Sequence, residues 1–381
     1  MKVAICSYGI TRKSGGVYYA VRDLFTNKVF QDYDLHLYSF YPKEYECDIK
    51  TWGNIPLTLY QANFFLYNNK MSKDIINNNF DLLHMETLWR YPQLIMEKWR
   101  NKSNHPIVCS PHGMLDPFII TNQGILKRLF ARLIMQKSLE AVTCFHALCK
   151  KELEDIRSYG LKQPIAIIPN GIHMPIKKTI YTKIDNYKHL LYLGRLHKKK
   201  GIDYLLYAIS QIKNQSPKLL TKWQIDIVGW DDEGFKSKLE DIVNKNNLQD
   251  TVVFHGELFG EAKDSIYATA DAYILPSHGE GLPMTVLEAW SWKLPVIMTS
   301  KCNIPEGFEA NAAIKVEDTL LSIKEGIIKL LKMSEEERQI MGQNGYQLVK
   351  EKFTWDKSAE KMLQLYKWLL YNTDKPDFIY E

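Results

Sequence analysis

The stretch "AYILPSHGEGLPMTVLEAW", residues 272–290, decides the fold of this chain. It starts with "AYILP", which has the composition of a buried strand, and a glycine-rich turn containing Glu280 follows. We predict that Pro283 is the first residue of a helix, because its fixed φ and missing N–H suit that position. Glu288 then lies within the helix. A strand, a glycine turn and a helix N-terminus in this order form a site for phosphates, since free N–H groups point outward there. The sequence therefore predicts an anion site flanked by two glutamates.

Short apolar runs alternate with longer amphipathic ones along the chain, which is the pattern of β/α units on parallel sheets. The candidate strands are residues 2–6, 35–40, 80–85, 106–110, 142–147 and 165–169 in the first half and 189–194, 224–229, 251–256, 272–276 and 295–299 in the second. These two sets predict an α/β protein with two Rossmann-like, doubly wound parallel-sheet domains. Ligands of such sheets bind at the strand carboxyl ends, so we expect the two domains to face each other across a cleft.

The domain boundaries follow from where the strand pattern stops and resumes. We predict an N-terminal domain over residues 1–173 and a lysine-rich, weakly patterned linker over residues 174–188. A second domain over residues 189–353 then carries the phosphate motifs. Residues 354–381 contain a helix with an apolar stripe, which we expect to pack back on the N-terminal domain.

Composition excludes several classes of protein. The net charge of +5 over 381 residues is too mild to indicate a nucleic-acid partner. No run approaches the roughly 18 apolar residues of a membrane helix, and the first residues have the pattern of a strand rather than of a signal peptide. The six cysteines are scattered, without the second pair that a zinc site needs, so we interpret them as reduced thiols of a cytoplasmic protein.

Five motifs in a fixed order resemble those of glycosyltransferase family 4, retaining enzymes with the GT-B fold. They are "GGVYYAVRDL" (15–24), "PHG" (111–113), "IPNGI" (168–172), "LGRLHKKKGIDYLL" (193–206) and "LPSHGEGLPMTVLEAW" (275–290), the last with the family's pair of glutamates eight positions apart. The resemblance covers essentially the whole chain. It departs from the family where Trp230 follows Gly229, at a position where a second glycine turn is usual.

The resemblance implies a role for each motif residue, and the chemistry of the side chains agrees with it. Arg195 offers a planar fork of donors and Lys200 a compact cation, and both suit the diphosphate of a nucleotide sugar. A carboxylate accepts two hydrogen bonds from neighbouring hydroxyls, so Glu288 is assigned to the ribose and Glu280 to the transferred sugar. His112 is expected to contact the sugar or its phosphate. The implied catalytic residues are His112, Glu280, Arg195 and Lys200, and the donor-binding residues are Gly15, Gly16, Gly194, Arg195, Lys200, Glu280, Gly281, Leu282, Pro283, Met284 and Glu288.

The implied activity is retaining and metal-independent transfer of a hexosyl or N-acetylhexosaminyl unit. The donor is expected to be UDP- or GDP-linked, with its base near residues 254–258, and no cofactor is expected. The acceptor is expected to be a glycan on polyprenyl diphosphate in O-antigen, capsule or exopolysaccharide assembly. The resemblance implies a location in the cytoplasm, where peripheral contact with the cytoplasmic face of the membrane is compatible with a lipid-linked acceptor.

Other interpretations remain open at this point. The protein is alternatively a nucleotide-sugar epimerase of the same fold, although its acid/base motifs are not matched, or a glycan-binding protein without catalysis. Each motif residue, taken alone, also suits a solvated surface or a packed turn, and their joint order at strand ends favours function. The "DYD" at residues 32–34 imitates a metal-binding motif but is better explained as a solvated turn. The basic, amphipathic segment 124–138 predicts either a core-packed helix or one that lies on anionic lipid.

Overall fold

The computed structural model describes residues 1–42, 44–62, 68–89, 91–117, 120, 135–175, 181–183 and 185–381. These residues form two compact units. The first unit combines Met1–Gly171 with Trp355–Glu381, and the second is Ile172–Thr354.

The strands are short and mostly buried. They are β1 (Lys2–Ser7), β2 (Asp34–Phe40), β3 (Leu57–Tyr60), β4 (Leu82–Glu86), β5 (Ile107–Ser110), β6 (Cys144–Ala147), β7 (Ile165–Ile167), β8 (Lys188–Leu193), β9 (Trp223–Val228), β10 (Val252–Gly256), β11 (Ala272–Leu275), β12 (Val296–Thr299), β13 (Ala313–Val316) and β14 (Ile379–Tyr380).

Helices connect the strands in both units. The described α-helices are α1 (Gly16–Phe25), α2 (Asn69–Asn77), α3 (Ile95–Ser103), α4 (Gln136–Glu140), α5 (Lys150–Ser158), α6 (Ile202–Gln215), α7 (Phe235–Lys245), α8 (Gly260–Thr269), α9 (Met284–Ser291), α10 (Glu306–Glu309), α11 (Leu320–Lys332), α12 (Glu335–Lys352) and α13 (Trp355–Tyr371).

Each unit is built on one sheet. The sheet of the first unit has the order β14-β7-β6-β5-β4-β1-β2-β3, and only β14 runs antiparallel to its neighbour. The sheet of the second unit has the order β10-β9-β8-β11-β12-β13 and is parallel throughout. In both sheets the strand order reverses beside the first strand of the unit, and loops that leave the carboxyl ends on either side of such a point form binding crevices. The predicted pair of doubly wound α/β domains is confirmed.

Both faces of the first sheet are covered. Alternate residues of β1 separate onto the two faces, so that Val3 and Ile5 enter one apolar cluster and Ala4 and Cys6 enter another. Helix α13 completes the first of these clusters with Met362, Leu365 and Tyr366. Parallel strands buried on both faces give continuous apolar runs in the sequence, which explains why these strands were easy to predict.

All eleven predicted strands are present, and the three that were not predicted lie at the edges of the sheets. Strands β3 and β14 close the first sheet and β13 closes the second. An edge strand is short or carries polar residues, such as the exposed Lys315 of β13, and so lacks a long apolar run. Residues 354–381 therefore contain the edge strand β14 as well as the predicted helix.

Two of the predictions fall partly outside the described residues. The segment 124–138 is described only from residue 135, so neither interpretation of its helix is tested. Of the predicted linker 174–188, residues 176–180 and 184 also lie outside. Of the "DYD" residues, Asp34 is the first residue of β2, with its carboxylate 3.6 Å from Nζ of Lys2. No helix among the described residues is long and apolar enough to cross a membrane.

Helix α9, which follows the glycine turn, is seated against α12 by two glycines. A Cβ on Gly345 would lie 2.2 Å from Cδ1 of the buried Trp290, and a Cβ on Gly342 would lie 1.9 Å from the carbonyl oxygen of Lys293. Trp290 is further fixed by its Nε1, which donates to the carbonyl of Ala312 at 3.0 Å. The close approach of α12 therefore sets the position of α9.

We predict that Gly345→Ala destabilises the protein although alanine is the better helix former. Overpacking of a core costs about 1–3 kcal/mol, and the new methyl group meets a buried indole, so this cost exceeds the gain of about 1 kcal/mol in helix propensity. Thermal unfolding should show a lower melting temperature than that of the wild type. Gln347→Ala, on the exposed side of α12, is the control and should change little. A melting temperature of Gly345→Ala at or above the wild-type value would contradict the packing of α9 on α12.

Candidate active site

The loops that follow β8 and β9 are locked together beyond the ends of the strands. A Cβ on Gly229 would lie 1.8 Å from the carbonyl oxygen of Gly194, so only glycine permits this approach. Past the glycines, the N–H of Leu196 donates to the carbonyl of Trp230 at 2.8 Å, and the N–H of Asp232 donates to the carbonyl of Leu196 at 3.2 Å. The close contact at Gly229 is therefore made within the chain, at the turn where the sequence departs from the family.

Arg195 lies in the first of these loops and contacts the second. Its Nη1 is 3.1 Å from Oδ2 of Asp232, and its Cζ lies 5.7 Å from the ring centroid of Trp230. The Arg195 side chain is 44% exposed. Its guanidinium thus has an internal partner and still presents donors to solvent.

Lys200 is brought to the glycine turn by a second close approach. Gly201 has φ 67°, and a Cβ there would lie 2.1 Å from the carbonyl oxygen of Pro276. The N–H of His278 donates to the carbonyl of Lys199 at 2.9 Å. As a result, Nζ of Lys200 lies 2.7 Å and 2.9 Å from the two carboxylate oxygens of Glu280.

The turn around Glu280 is anchored to the segment after β12. The N–H of Glu280 donates to the carbonyl of Lys301 at 3.0 Å, and Nδ2 of Asn303 donates to the carbonyl of Glu280 at 2.5 Å. Helix α9 begins at Met284, so Pro283 is its N-cap rather than its first residue, one position from the prediction. No described side chain caps this helix, which leaves its first N–H groups free for an anion.

Glu288 lies one turn into α9 and is held by α8. Nζ of Lys263 donates to Oε1 of Glu288 at 2.6 Å, and the hydroxyl of Tyr267 donates to Oε2 at 2.9 Å. Burial and the neighbouring Glu288 charge raise the pKa of Tyr267 well above its ordinary value, so the tyrosine remains a donor. Glu288 is thereby an oriented, half-buried carboxylate.

In the first unit, His112 follows β5 and contacts a buried glutamate at the end of β4. Its Nε2 lies 2.5 Å from Oε2 of Glu86. The neighbouring strands β1, β4 and β5 end in register at Ser7, Glu86 and Ser110. These three residues therefore lie together at the carboxyl ends of the strands. His112 has φ 52°, and the β-branched Thr87 beside Glu86 has φ 73°. Left-handed backbone at such residues is strained, and strain of this kind is concentrated at functional sites.

A buried network continues from Glu86 into the core. Oε1 of Glu86 lies 3.2 Å from Nε2 of His84, which is 2.7 Å from Oγ of Ser110. Ser110 in turn hydrogen-bonds Nδ1 of His146 at 2.8 Å. Nδ1 of His84 hydrogen-bonds the hydroxyl of Tyr366 on α13. The network therefore connects the His112 pair to the C-terminal helix.

The pKa of His112 shifts in the opposite direction from the pKa values of the two buried histidines in this network, His84 and His146. Burial lowers the pKa of His84 to about 4, and burial lowers the pKa of His146 to about 4 as well. Burial also opposes a charged His112, but the carboxylate of Glu86 and its hydrogen bond outweigh burial and raise the pKa of His112. Burial acts to raise the pKa of Glu86, yet the imidazoles of His84 and His112 prevail and lower it to about 2. The carboxylate of Glu86 therefore favours the protonated form of His112, and His112 in turn favours the ionised form of Glu86.

A small pocket opens beside this pair of residues. Glu86, Thr87 and the buried Ser7 and Gln93 line its polar side, and Phe40, Met71 and Met85 line its apolar side. Among the described residues, Oγ of Ser7 and Nε2 of Gln93 have no hydrogen-bond partner. Unsatisfied buried polar groups are costly in a folded protein, so the pocket offers two groups ready to bind a polar ligand or a water molecule.

Gly15 and Gly16 form the turn between β1 and α1. Gly15 has φ 57°, and a Cβ on either glycine would meet open space. Helix α1 begins at Gly16 without a described side-chain cap. The preceding turn is fixed by Arg12, whose guanidinium forms an ion pair with the buried Asp48.

The predicted residues thus fall into two groups. Lys200 is paired with Glu280, whereas Glu288 contacts Lys263 and Tyr267, and Arg195 contacts Asp232. His112, Gly15 and Gly16 belong to the other unit. The remaining predicted donor residues are in the second unit, with Gly194 after β8 and Gly281, Leu282, Pro283 and Met284 between β11 and the start of α9.

Four residues that contact the predicted site were not predicted. They are Glu86, Asp232, Lys263 and Tyr267. Glu86 carries a usable signal, because a carboxylate directly after an apolar parallel strand lies at the ligand-binding edge. Lys263 and Tyr267 are ordinary residues of an amphipathic helix, and only the packing of α8 beside α9 brings them to Glu288.

Comparison with known proteins gives a consistent result over both units. The family model described as Glycosyltransferase Family 4 matches residues 15–174, and the model described as Glycosyl transferases group 1 matches residues 174–348. An uncharacterized glycosyltransferase of Methanocaldococcus jannaschii is 27% identical over 364 residues, 93% of this chain and 94% of that protein. The alpha-galactosylglucosyldiacylglycerol synthase of Streptococcus pneumoniae is 26% identical over 38% of this chain and 41% of its own length.

Solved structures agree at the level of the fold. The structure of Anabaena HepE in complex with UDP superposes with a TM-score of 0.75 at 14% identity, covering 96% of this chain and 99% of that one. These comparisons favour neither the epimerase nor the glycan-binding alternative. Since matched models extend from residue 15 to residue 348, the chain belongs to the family 4 glycosyltransferases, which have the GT-B fold.

Proposed function

We propose that this protein is a retaining, metal-independent hexosyltransferase that uses a nucleoside diphosphate sugar. The observation that carries the proposal is that two cations, the uncapped start of α9 and two carboxylates all follow the carboxyl ends of β8 and β11, which are parallel neighbours in the sheet of the second unit. Arg195 and Lys200 follow β8, and Glu280, the start of α9 and Glu288 follow β11. Cationic and N–H donors suit a diphosphate, and oriented carboxylates suit the hydroxyls of two sugars. The similarity in fold to a protein solved with UDP supports a uridine nucleotide as the donor carrier.

The chemistry follows from where charge develops. The acceptor hydroxyl forms a bond to the anomeric carbon while the bond from that carbon to the phosphate oxygen breaks. The leaving diphosphate gains negative charge, which Arg195, Lys200 and the N–H groups of α9 stabilise. Attack on the same face as the leaving group allows the phosphate oxygen to accept the hydroxyl proton, and the configuration is retained. Stabilisation by protein cations is the reason that we propose no metal.

The two glutamates orient the donor. Glu288 is proposed to accept the ribose hydroxyls, because Lys263 and Tyr267 hold its carboxylate in one orientation. Glu280 is proposed to accept hydrogen bonds from hydroxyls of the transferred sugar, and Lys200 holds its carboxylate in place. The base is proposed to lie along residues 254–258, where Phe254 and Leu258 pack against the core of the second unit.

The first unit is proposed to bind the acceptor. His112, whose protonated form the carboxylate of Glu86 favours, is proposed to donate a hydrogen bond to the transferred sugar or its phosphate, and Gly15 and Gly16 leave room for the same ligand. The pocket lined by Ser7 and Gln93 offers polar groups to an acceptor hydroxyl. The partial similarity to a synthase named for a galactosylglucosyl lipid supports a lipid-linked glycan as the acceptor. We therefore propose O-antigen, capsule or exopolysaccharide assembly at the cytoplasmic face of a membrane, in a compartment that suits six free thiols.

We predict that a nucleoside diphosphate stabilises the wild-type protein and that Glu288→Ala abolishes this effect. A ligand at about 100 times its dissociation constant adds about 2.7 kcal/mol to the stability of the form that binds it. Thermal unfolding with UDP, GDP and ADP measures the shift of each variant against its own unliganded melting temperature. Glu351→Ala, an exposed glutamate of α12, is the matched control and should keep the shift. The absence of any shift in the wild type would contradict the proposed donor site.

We predict that His112 titrates above its ordinary pKa and that Glu86→Gln lowers this value. Removing the carboxylate leaves burial as the dominant effect, and burial disfavours the imidazolium. NMR of labelled histidine side chains measures the titration, with His112→Gln assigning the signal. Because the folded pKa of His112 is raised, the ion pair stabilises the protein fully below the ordinary pKa of histidine, and this stability is lost as pH rises through the folded value. An unchanged His112 titration in Glu86→Gln would contradict the pairing.

We predict that the donor is cleaved with retention in the presence of a chelator. With water as a slow acceptor, an α-linked nucleotide sugar should release the α anomer first, which ¹H NMR detects before mutarotation. Lys200→Ala should slow this cleavage by about 100-fold, because a donor that stabilises developing charge is lost. Initial release of the β anomer, or loss of cleavage in EDTA, would contradict the retaining or the metal-independent mechanism respectively.

A further inference from the structure

The loop after β9 carries negative charge next to a site proposed for an anion. Three acidic residues, Asp231, Asp232 and Glu233, follow Trp230 in the chain. Only Asp232 contacts a residue predicted to bind phosphate: its Oδ2 lies 3.1 Å from Nη1 of Arg195. Asp231 instead accepts the N–H of Lys236 at 2.8 Å, and Glu233 is exposed to solvent. The three acids of one short loop therefore have three different environments.

The position of Asp232 beside Arg195 is set by the backbone. The hydrogen bonds between the loops at Leu196, Trp230 and Asp232, together with the contact of Gly229 with Gly194, leave little freedom to either chain segment. The indole of Trp230 also contacts the guanidinium, with its ring centroid 5.7 Å from Cζ of Arg195. The carboxylate is therefore a permanent neighbour of Arg195, and the arginine can leave it only by a movement of its own side chain.

The exposure of the pair shows that such a movement is feasible. The side chain of Arg195 is 44% exposed and that of Asp232 is 22% exposed. A partly exposed ion pair contributes little to stability because water screens it. A diphosphate, which carries more than one negative charge, competes effectively for the same guanidinium.

We propose that Asp232 is an internal counter-ion of Arg195 that competes with the diphosphate and so weakens the binding of the nucleoside diphosphate. This inference rests on the proposed donor site. After the transfer, the terminal phosphate of the released diphosphate gives up to solvent the proton that it took from the acceptor and so gains a negative charge. A fixed carboxylate therefore opposes the product more strongly than the donor. Asp232 acts through Arg195 as a positioning residue, and its effect is to favour release of the product.

The experiment compares the dissociation constants of UDP, GDP and ADP for the wild type, Asp232→Asn and Glu233→Gln by titration calorimetry at low salt. Asp232→Asn should bind the accepted nucleotide about three- to tenfold more tightly, because it removes the competitor and one negative charge near the ligand. Glu233→Gln removes the same charge from the same loop without touching Arg195 and should change the dissociation constant by less than about twofold. The matching nucleoside monophosphate, which carries less charge, should gain less from Asp232→Asn.

A second pair of variants tests the route through Arg195. In an Arg195→Ala background, Asp232→Asn should no longer tighten binding beyond the effect of Glu233→Gln. The guanidinium for which Asp232 and the diphosphate compete is then absent. Equal or weaker binding by Asp232→Asn, or the same gain with and without Arg195, would overturn the inference while leaving the donor site intact. A requirement for magnesium that Asp232→Asn removes would also overturn it, since Asp232 would then be a metal ligand. If neither the wild type nor any variant binds a nucleotide, the proposed donor site fails together with this inference.

Discussion

The arrangement of the candidate site in the second unit depends on the close approach of two loops beyond the carboxyl ends of β8 and β9. The carbonyl oxygen of Gly194 fills the space that any side chain at residue 229 would need. That contact fixes the loops after β8 and β9 as one body, and it places Arg195 against Trp230 and Asp232. A similar contact of Gly201 with Pro276 brings Lys200 to Glu280. Two backbone contacts that exclude side chains thus position the cations of the site.

Each of the three carboxylates at the candidate sites has a partner of opposite charge or a hydrogen-bond donor. Glu280 is paired with Lys200, Glu288 with Lys263 and Tyr267, and the buried Glu86 with His112. A buried charge is tolerated only when it is paired and hydrogen-bonded. Each pair also fixes the direction of a carboxylate before a ligand arrives, so that binding does not have to order the side chain. The same contacts therefore serve the folded state and prepare the site.

The sequence predicts the parts of this protein that follow from local pattern. Strands buried on both faces leave apolar runs, and the glycine turn with Pro283 locates a helix start to within one residue. The edge strands β3, β13 and β14 leave no such run. The partners Glu86, Asp232 and Lys263 also escape prediction, because the chain distance between partners ranges from 25 to 37 residues and only the packed fold sets the pairing. The sequence pattern thus locates the candidate ligand-binding residues, whereas tertiary packing determines which side chains contact them.

The contribution of α13 to the first unit has a consequence for synthesis. Residues 355–381 complete the core of a unit that otherwise ends at Gly171, and the whole second unit lies between them in the chain. During translation the second unit is synthesised before α13. Until α13 emerges, the apolar surface of the first unit that packs against Met362, Leu365 and Tyr366 is uncovered. Domains generally fold as the chain emerges, so here the part made first is the part closed last. Until then this apolar surface of the amino-terminal half is open to chaperones and to aggregation.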